Sequence, residues 1–399
     1  MKIAIVVHGR FHAFDLALAL LRQGHEVTVF TNYPRWAAKR FGVPESWVRS
    51  LWIHGLFLRL VEMVPGALRW QWMESFVHRW FGRWAALQVS RQDWDVVHCW
   101  SGVSEELLLG NKGKRTETWL MRGSAHIRVQ AALLEDEERR VDRRIDKPSP
   151  WMIAREEREY QLATSIRLAS TFAFRSFVEQ GVPESRLRLL LLGANIDTFK
   201  VPPSEIEARQ RRILDRQPIR VLYVGNVTFQ KGVQDLSAIV AKLGAPQFQF
   251  RIVGAVNEEC IPLMEKIKDR VHMVGKVQQY LLLHEYSWAD IFVFPTIQDG
   301  FAVVLSQAQA CGLPILTTTN CAGPDMIREG ETGWILPIRS PQLFIERLLW
   351  CDNHRKELAE MVRRTYYDCR PRNWDDVVRD FVKPLQATIP VAPTSQAQA

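Results

Sequence analysis

The 399-residue sequence contains no apolar run long enough to cross a membrane. No stretch reaches 18 consecutive apolar residues, the length that a transmembrane helix needs. The start, MKIAIVVHGRF, has only five apolar residues in a row, which is too short for the core of a signal peptide. We therefore expect a cytoplasmic protein.

The sequence also lacks the short motifs of several common enzyme classes. Its six cysteines form no CxxC pair and no His/Cys group with metal-ligand spacing, which indicates free thiols in a reducing compartment. GxSxG and GxxxxGK[ST] are missing, and no GxGxxG follows the first strand, which disfavours a nicotinamide-dependent oxidoreductase. Asp93 and Asp95 have DxD spacing, but they precede a strand, and we interpret them as a turn. We expect no metal and no cofactor.

The composition is that of a folded, basic protein. Apolar residues make up 47% and charged residues 24% of the chain, and the net charge is +8. A positive charge favours anionic partners, but by itself it does not distinguish a phosphorylated ligand from nucleic acid or acidic lipid. The length favours two domains.

Short β-branched segments alternate with helical patterns along both halves of the chain. KIAIVVHG, HEVTVFTN and WDVVHCW in the first half are matched by IRVLYVGN, FQFRIVGA and IFVFPT in the second. This order predicts two doubly wound parallel-sheet α/β domains that face a central cleft. We place the domains at residues 1–198 and 199–370, a helix at 371–388 that returns to the first domain, and a disordered tail at 389–399.

Residues 47–84 combine many tryptophans with arginines. Trp47, Trp52, Trp70 and Trp72 are interleaved with Arg59 and other basic residues. This composition is typical of a helix at an anionic membrane surface, where the rings lie at headgroup depth. A large core is the alternative, since tryptophan is also heavily buried on average.

The segment DGFAVVLSQAQ, residues 299–309, reads as a loop that opens a helix near Ala302. A helix start carries free N–H groups and partial positive charge, both suited to phosphate. Gly300 allows close approach of backbone, and the amide of Gln307 offers a donor and an acceptor to a diol. A surface role for Gln307 is the alternative.

These residues resemble a known family. FVFPTIQDGFAVVLSQAQACGLPILTTTN and LYVGNVTFQKGVQDL, together with MVGKVQQYLLLHEYSWADIFVFP, are similar to segments of glycosyltransferase family 4, the retaining group 1 enzymes with the GT-B fold. That fold consists of two Rossmann-like domains. The resemblance covers most of the chain and implies a nucleotide-diphosphate sugar as co-substrate.

The resemblance implies roles for residues of the second domain. Asp299 matches the acidic position that contacts the transferred sugar, and Gln307 replaces the glutamate that binds the ribose. Lys231 matches a cation on the donor diphosphate, whereas Asn226 replaces a second one, an arginine. Ala302 replaces a glycine, which is acceptable where the backbone is helical. The other donor-binding positions are Gly225, Gly275, Val277, Gly300, Phe301 and Val303.

The first domain contributes four further candidates. Gly9 and Arg10 lie in the loop that faces the donor, and we hypothesise that Arg10 supplies the cation missing at Asn226. Arg122 occupies the place of a family histidine that contacts the sugar, and His126 fills that role from a shifted site or only begins a helix.

The predicted function is transfer of a sugar, with retention, to a hydroxyl of a glycan or lipid-linked acceptor in the synthesis of envelope polysaccharide or glycolipid. We expect no nucleic-acid partner and a peripheral contact of 47–84 with anionic membrane. The alternative is a degenerate protein that binds a nucleotide-sugar or glycan without transfer, because Asn226, Ala302 and Gln307 all depart from the family pattern.

Overall fold

The computed structural model describes residues 1–63 and 70–386. It contains two parallel sheets, which confirms the predicted fold class. The predicted tail at 389–399 lies outside the described residues.

The first sheet has seven strands in the order β3-β2-β1-β4-β5-β6-β7. The strands are β1 Lys2–Val7, β2 Glu26–Thr31, β3 Val48–Ser50, β4 Val96–Trp100, β5 Glu117–Arg122, β6 Ser165–Leu168 and β7 Leu187–Leu189. The helices around it are α1 Ala13–Arg22, α2 Arg35–Ala38, α3 Trp52–Glu62, α4 Gln71–Val89, α5 Glu105–Asn111, α6 Ile127–Val141, α7 Pro150–Leu162 and α8 Thr171–Glu179.

The second sheet has six strands in the order β10-β9-β8-β11-β12-β13. The strands are β8 Ile219–Val224, β9 Phe248–Val253, β10 Val271–Gly275, β11 Ile291–Phe294, β12 Ile315–Thr318 and β13 Gly333–Leu336. The helices are α9 Pro203–Leu214, α10 Val233–Lys242, α11 Ile261–Glu265, α12 Leu282–Trp288, α13 Val303–Ala310, α14 Gly323–Met326, α15 Pro341–Asn353, α16 Arg355–Tyr367 and α17 Trp374–Gln386. Short 3-10 turns include Ile196–Phe199 and Phe229–Lys231.

Strand β1 shows why continuous apolar runs form these sheets. Successive side chains of a strand point to opposite faces, and β1 is covered on both. Ile3, Ile5 and Val7 pack in one core cluster with α1, whereas Ala4 and Val6 pack in another with α4. A strand with helices on both faces has no need of alternating polar residues.

The chain crosses between the domains twice, and the two crossings lie side by side. The Ala194 N–H donates to the Arg372 carbonyl at 3.0 Å. A Cβ on Gly193 would lie 2.5 Å from the Asn373 carbonyl oxygen. Helix α17 then packs on α1, with Val377, Val378 and Phe381 in the first-domain core. The carboxy-terminal helix thus belongs to the first domain's layers.

Helix α6 connects the domains on the other side of the cleft. Its Leu134 is part of the second-domain core. Glu137 of α6 is fully buried, forms a salt bridge with Arg339 of the second domain and accepts a hydrogen bond from Gln234. These contacts hold the two sheets with their carboxyl ends facing each other.

Candidate active site

A cavity of about 400 Å³ lies between the carboxyl ends of the two sheets. We call it the interdomain cavity. Ligands of open α/β sheets bind at this edge. Its described lining includes His8, His12, Trp100, Ser101 and Arg122 from the first domain and Gly225, Lys231, Asp299, Phe301, Ala302 and Val303 from the second.

Lys231 and Asp299 meet in this cavity. Lys231 ends the turn that follows β8, and Asp299 lies in the loop after the neighbouring strand β11. The Lys231 Nζ is 2.6 Å from Asp299 Oδ2. The other carboxylate oxygen, Oδ1, accepts the backbone N–H groups of Phe301 at 3.1 Å and Ala302 at 2.9 Å. Asp299 therefore holds the start of α13 and positions the Lys231 ammonium group at once.

Ala302 corrects an expectation from the sequence. Its backbone is left-handed, with φ 67° and ψ 74°, and α13 begins only at Val303. A side chain in this region meets the carbonyl of its own backbone, which costs roughly 1 kcal/mol relative to glycine. From the sequence we expected alanine to be acceptable here because the backbone would be helical. The backbone is left-handed instead, so the position is strained.

Gly300 and Phe301 join the two domains. A Cβ on Gly300 would lie 2.2 Å from the carbonyl oxygen of Gly123 in the first domain, which leaves space only for glycine. Phe301 is buried in the first-domain core cluster. Beside them, the Ser124 hydroxyl donates to the Gln298 side-chain oxygen. The loop that carries Asp299 is therefore fixed by the opposite domain.

The first-domain wall of the cavity includes His8 and His12, which were not among the predicted site residues. Burial lowers the pKa of His12 to about 4, although the nearby Asp299 carboxylate opposes this shift. Burial, with smaller contributions from His78 and His54, lowers the pKa of His8 to about 3. Both rings are therefore neutral at physiological pH. HGRFH contains both residues, but only the tertiary structure shows that they face Asp299.

Comparison with known proteins shows a sequence similarity to one family over the second domain. Residues 218–353 match the model of a family described as "Glycosyl transferases group 1". The chain is 23% identical over 199 residues to the putative colanic acid biosynthesis glycosyltransferase WcaL of Escherichia coli K12, covering 47% of each chain. It is 28% identical over 202 residues to the amylovoran biosynthesis glycosyltransferase AmsK of Erwinia amylovora, covering 45% of this chain and 49% of AmsK.

Solved structures show the same fold over nearly the whole chain. HepE of Anabaena, crystallised in complex with UDP, superposes with a TM-score of 0.68 at 12% identity, covering 97% of this chain and 100% of HepE. Sucrose-phosphate synthase of Thermosynechococcus elongatus gives a TM-score of 0.65 at 19% identity, covering 97% and 98%. Residues 218–353 are thus similar in sequence to the group 1 glycosyltransferases, and the chain as a whole shares the fold of these solved structures.

These findings confirm the family resemblance, whereas membership of glycosyltransferase family 4 stays a prediction. The chain spans about half the length of the curated relatives it matches. The match to the group 1 model contains Lys231, Asp299 and Gln307. It ends before α16, and over the first domain the likeness to the solved structures is one of fold alone.

The side chain of Gln307 does not reach the interdomain cavity. Its side chain is buried, and its Oε1 accepts a hydrogen bond of 2.9 Å from the Tyr286 hydroxyl. The amide that was expected to meet a diol is thus engaged inside the second domain. A polar residue within an apolar helix can either contact a ligand or form such an internal hydrogen bond. The sequence alone does not distinguish these two possibilities.

His126 is a helix cap in the structure, which corrects its expected contact with the sugar. Its Nδ1 accepts the Arg128 N–H at 3.3 Å at the start of α6. The ring is buried between Tyr160 and Phe177, 5.0 Å and 4.9 Å away between centroids. Burial lowers its pKa to about 4. We had expected His126 either to contact the sugar or only to begin a helix, and the structure shows the helix start.

Arg122 does line the cavity, but its charge is partly engaged. Its Nε is 3.0 Å from a carboxylate oxygen of Glu156, and it also donates to Gln130. Burial disfavours the cation, yet the Glu156 carboxylate and Tyr160 outweigh this and raise the pKa of Arg122. A permanent positive charge therefore faces the interdomain cavity.

Gly9 and Arg10 line a different cavity, of about 1060 Å³, in the first domain beside α2 and α3. We call it the first-domain cavity. The Arg10 guanidinium lies over the Phe41 ring, 4.2 Å from its centroid. In this arrangement Arg10 does not replace the missing cation at Asn226, whose own side chain is exposed. Compensation by Arg10 requires it to leave Phe41.

The remaining predicted donor residues lie in or near the ends of β8 and β10, which flank β9 in the second sheet. Gly225 follows β8 and lines the cavity. Gly275 ends β10, where its carbonyl accepts the Gly254 N–H at 2.9 Å. Val277 packs on the second-domain core. Gly275 and Val277 therefore shape the sheet edge from outside the lining of the cavity.

Proposed function

We propose that the chain is a retaining glycosyltransferase of family 4 that moves a sugar from a nucleoside-diphosphate sugar to a hydroxyl group. The observation that carries the proposal is the placement of Lys231, Asp299 and the start of α13 on one wall of a cavity between two domains. Such a wall offers positive charge to a diphosphate, and the opposite domain excludes water.

The reaction that this arrangement supports is mainly electrostatic. The bond between the anomeric carbon and the diphosphate oxygen breaks, and its electron pair stays on the diphosphate. The acceptor oxygen bonds to the same face of the carbon, and its proton passes to the departing diphosphate oxygen. Lys231 and the first N–H groups of α13 stabilise the negative charge that develops, and Arg122 faces the sugar from the first domain. We propose that these charges act without a metal ion, and an unchanged transfer rate in EDTA checks that point.

In the free protein, Lys231 is paired with Asp299. A bound diphosphate competes for the same ammonium group, and the sugar hydroxyls then become partners for the released carboxylate oxygen. Asp299 keeps its position through the N–H groups of Phe301 and Ala302. Donor binding therefore replaces the Asp299 carboxylate by the diphosphate as the partner of Lys231, and the loop that carries Asp299 stays in place.

The donor test is a thermal-shift screen of the purified protein with UDP-, GDP-, ADP- and dTDP-sugars. UDP-glucose is the first probe, because HepE has been crystallised with it. A ligand that binds only the folded state raises its midpoint. We expect Lys231→Ala to weaken binding by roughly 10- to 100-fold, the effect of a lost charge-assisted hydrogen bond. The exposed Lys242→Ala is the matched control.

The same screen tests the second candidate function, a protein that binds a nucleotide-sugar without transfer. The exposed Asn226 and the internally bonded Gln307 favour this candidate, since neither places a charge on the donor. Binding with no transfer to any glycan or lipid acceptor supports it. Absence of any midpoint shift contradicts both functions.

For the acceptor, we propose a growing envelope polysaccharide or glycolipid at an anionic membrane surface. WcaL and AmsK are named for the biosynthesis of colanic acid and amylovoran, both through glycosyl transfer. No helix within 1–63 or 70–386 is long and apolar enough to span a membrane. Any contact with lipid would thus be made by side chains at the surface of this part of the chain.

Helix α3 carries the exposed apolar residues that such a contact needs. Trp52, Ile53, Leu56, Leu60 and Met63 recur at helical spacing and are each at least half exposed. Trp70, Trp72 and Phe76 continue the exposed surface at the start of α4. Val77, Phe81 and Ala85 of α4 are buried instead. The exposed residues of this segment support the membrane interpretation, whereas the buried face of α4 supports the core interpretation. Residues 64–69 lie outside the described part.

Vesicle co-sedimentation tests the membrane proposal. We expect binding to vesicles that contain phosphatidylglycerol, and weaker binding to neutral vesicles or at high salt. The triple variant Ile53→Ser, Leu60→Ser, Met63→Ser should lose binding. A control with Leu109→Ser, Leu214→Ser and Leu343→Ser changes three exposed leucines elsewhere and should retain it. Equal sedimentation of both variants contradicts the proposal.

A further inference from the structure

The first-domain cavity combines unpaired positive charge with an apolar wall. Arg10, Arg35 and Arg59 line it. None of the three forms an ion pair with a carboxylate among the described side chains. Three guanidinium groups around one cavity favour an anion, and the planar fork of arginine matches a phosphate group.

The apolar wall is formed by Trp36, Trp52 and Leu56, which are 61%, 55% and 50% exposed. Large apolar side chains that gather at a cavity mark a binding surface more often than a free one. Gly55 brings this wall close to the sheet, because its missing Cβ would lie 2.5 Å from the Asn32 carbonyl oxygen. The surface continues directly into the exposed face of α3.

The first-domain cavity adjoins the interdomain cavity at two residues. His8 and Phe11 line both cavities. The His8 Nε2 is buried and has no hydrogen-bond partner among the described residues. Buried polar atoms are nearly always paired, so the open Nε2 at this junction leaves a hydrogen-bond position for a polar group of a ligand.

We propose that the first-domain cavity binds the acceptor as a phosphate-bearing amphiphile. The phosphate lies among Arg10, Arg35 and Arg59, the apolar chain runs along Trp36, Trp52 and Leu56, and the acceptor hydroxyl group reaches His8 at the entrance to the interdomain cavity. The identity of the bound molecule as an acceptor rests on the proposed function. Its chemical class rests on the cavity alone.

Binding of farnesyl phosphate to the full chain, measured by titration calorimetry below its micellar concentration, tests the class. We expect it to bind at least tenfold more tightly than farnesol, which lacks the phosphate, and than inorganic phosphate, which lacks the chain. Equal affinities of farnesyl phosphate and either fragment would overturn the proposal.

Variants separate the cavity from its surroundings. Arg35→Ala with Arg59→Ala should weaken farnesyl phosphate binding at least tenfold. Arg175→Ala with Arg211→Ala, which removes two exposed arginines elsewhere, should not. Leu60→Ser with Met63→Ser changes the α3 face outside the cavity and should also leave binding unchanged. Equal effects of the three pairs would show non-specific adsorption and overturn the proposal.

The donor site is read out independently. Lys231→Ala should lose nucleotide-sugar binding and retain farnesyl phosphate binding. If wild-type protein binds farnesyl phosphate as described but no nucleotide-sugar, the cavity is real and the proposed transfer is wrong. If it binds a nucleotide-sugar and farnesyl phosphate only as weakly as farnesol, the transfer stands and the acceptor class is wrong.

Discussion

At the scale of single residues, Ala302 stores strain at the start of α13. Its φ of 67° favours glycine, and its methyl group lies at the lining of the interdomain cavity. We expect Ala302→Gly to raise the free energy of unfolding by up to about 1 kcal/mol, since relief of the left-handed strain outweighs the added entropy of the unfolded chain. Chemical denaturation measures this change.

The control for Ala302→Gly is Ala308→Gly in the interior of the same helix. Ala308 is buried and helical, so glycine there should lower stability by about 1 kcal/mol or more. Similar losses in the two variants would show that the left-handed backbone at Ala302 carries no strain.

The residues of the candidate site were predictable where each one's position could be read from its own segment of the sequence. Asp299 and Lys231 each follow a strand of recognisable pattern, and parallel strands bring their carboxyl ends to one edge. His8 and Phe11 escaped prediction because their role depends on two cavities that meet only in the folded chain. Gln307 was assigned to the ligand because no local signal reveals its partner, Tyr286, 21 residues earlier.

At the scale of elements, the loop between β11 and α13 is clamped by the first domain. Gly300 faces the Gly123 backbone, and Phe301 fills the first-domain core. We expect Gly300→Ala to force the two domains apart, because a Cβ 2.2 Å from a carbonyl oxygen has no room and backbone cannot rotate away. Small-angle scattering should show a larger radius of gyration, and transfer should fall at least tenfold.

Gly244→Ala is the matched control for that change. A Cβ at Gly244 meets nothing within 4 Å, and its φ is not in the left-handed region. It should leave both the radius and the transfer rate unchanged. A Gly300→Ala protein with wild-type scattering and activity would mean that the interdomain contact is not required for the working state.

The elements themselves followed from local pattern, whereas their docking did not. Buried β-branched runs such as β1 predicted both sheets. Helix α6, however, has an ordinary amphipathic sequence, and nothing in it shows that Leu134 and Glu137 pack on the other domain. A charged residue is normally solvated, so the full burial of Glu137 depends on Arg339, 202 residues later.

At the scale of the whole molecule, the two cavities form one path from the surface of α3 to Lys231. The first-domain cavity opens beside the exposed apolar face, and His8 and Phe11 mark its junction with the interdomain cavity. A chain that lies on lipid with α3 downward would present this path to an acceptor in the membrane surface. The variants above should separate the two affinities: changes at Leu60 and Met63 lower the affinity for vesicles, whereas changes at Arg35 and Arg59 lower the affinity for farnesyl phosphate.

The buried histidines make the stability of the molecule depend on pH. Burial lowers the pKa of five of them, to about 3 for His8 and His98 and about 4 for His12, His78 and His126. The unfolded value is 6.5, so the stability that their neutral forms contribute is complete above pH 6.5 and is lost as the pH falls toward 4. Urea unfolding at pH 7.5, 6.5 and 5.5 should show that the free energy of unfolding falls with pH, with each proton adding a slope of about 1.4 kcal/mol per pH unit.

His12→Asn should reduce that slope by the contribution of about one proton, whereas His272→Asn at an exposed position should not. A free energy that is constant down to pH 5.5 would mean that these imidazoles bind protons in the folded state as readily as in the unfolded chain, through local opening of the interdomain contacts around them.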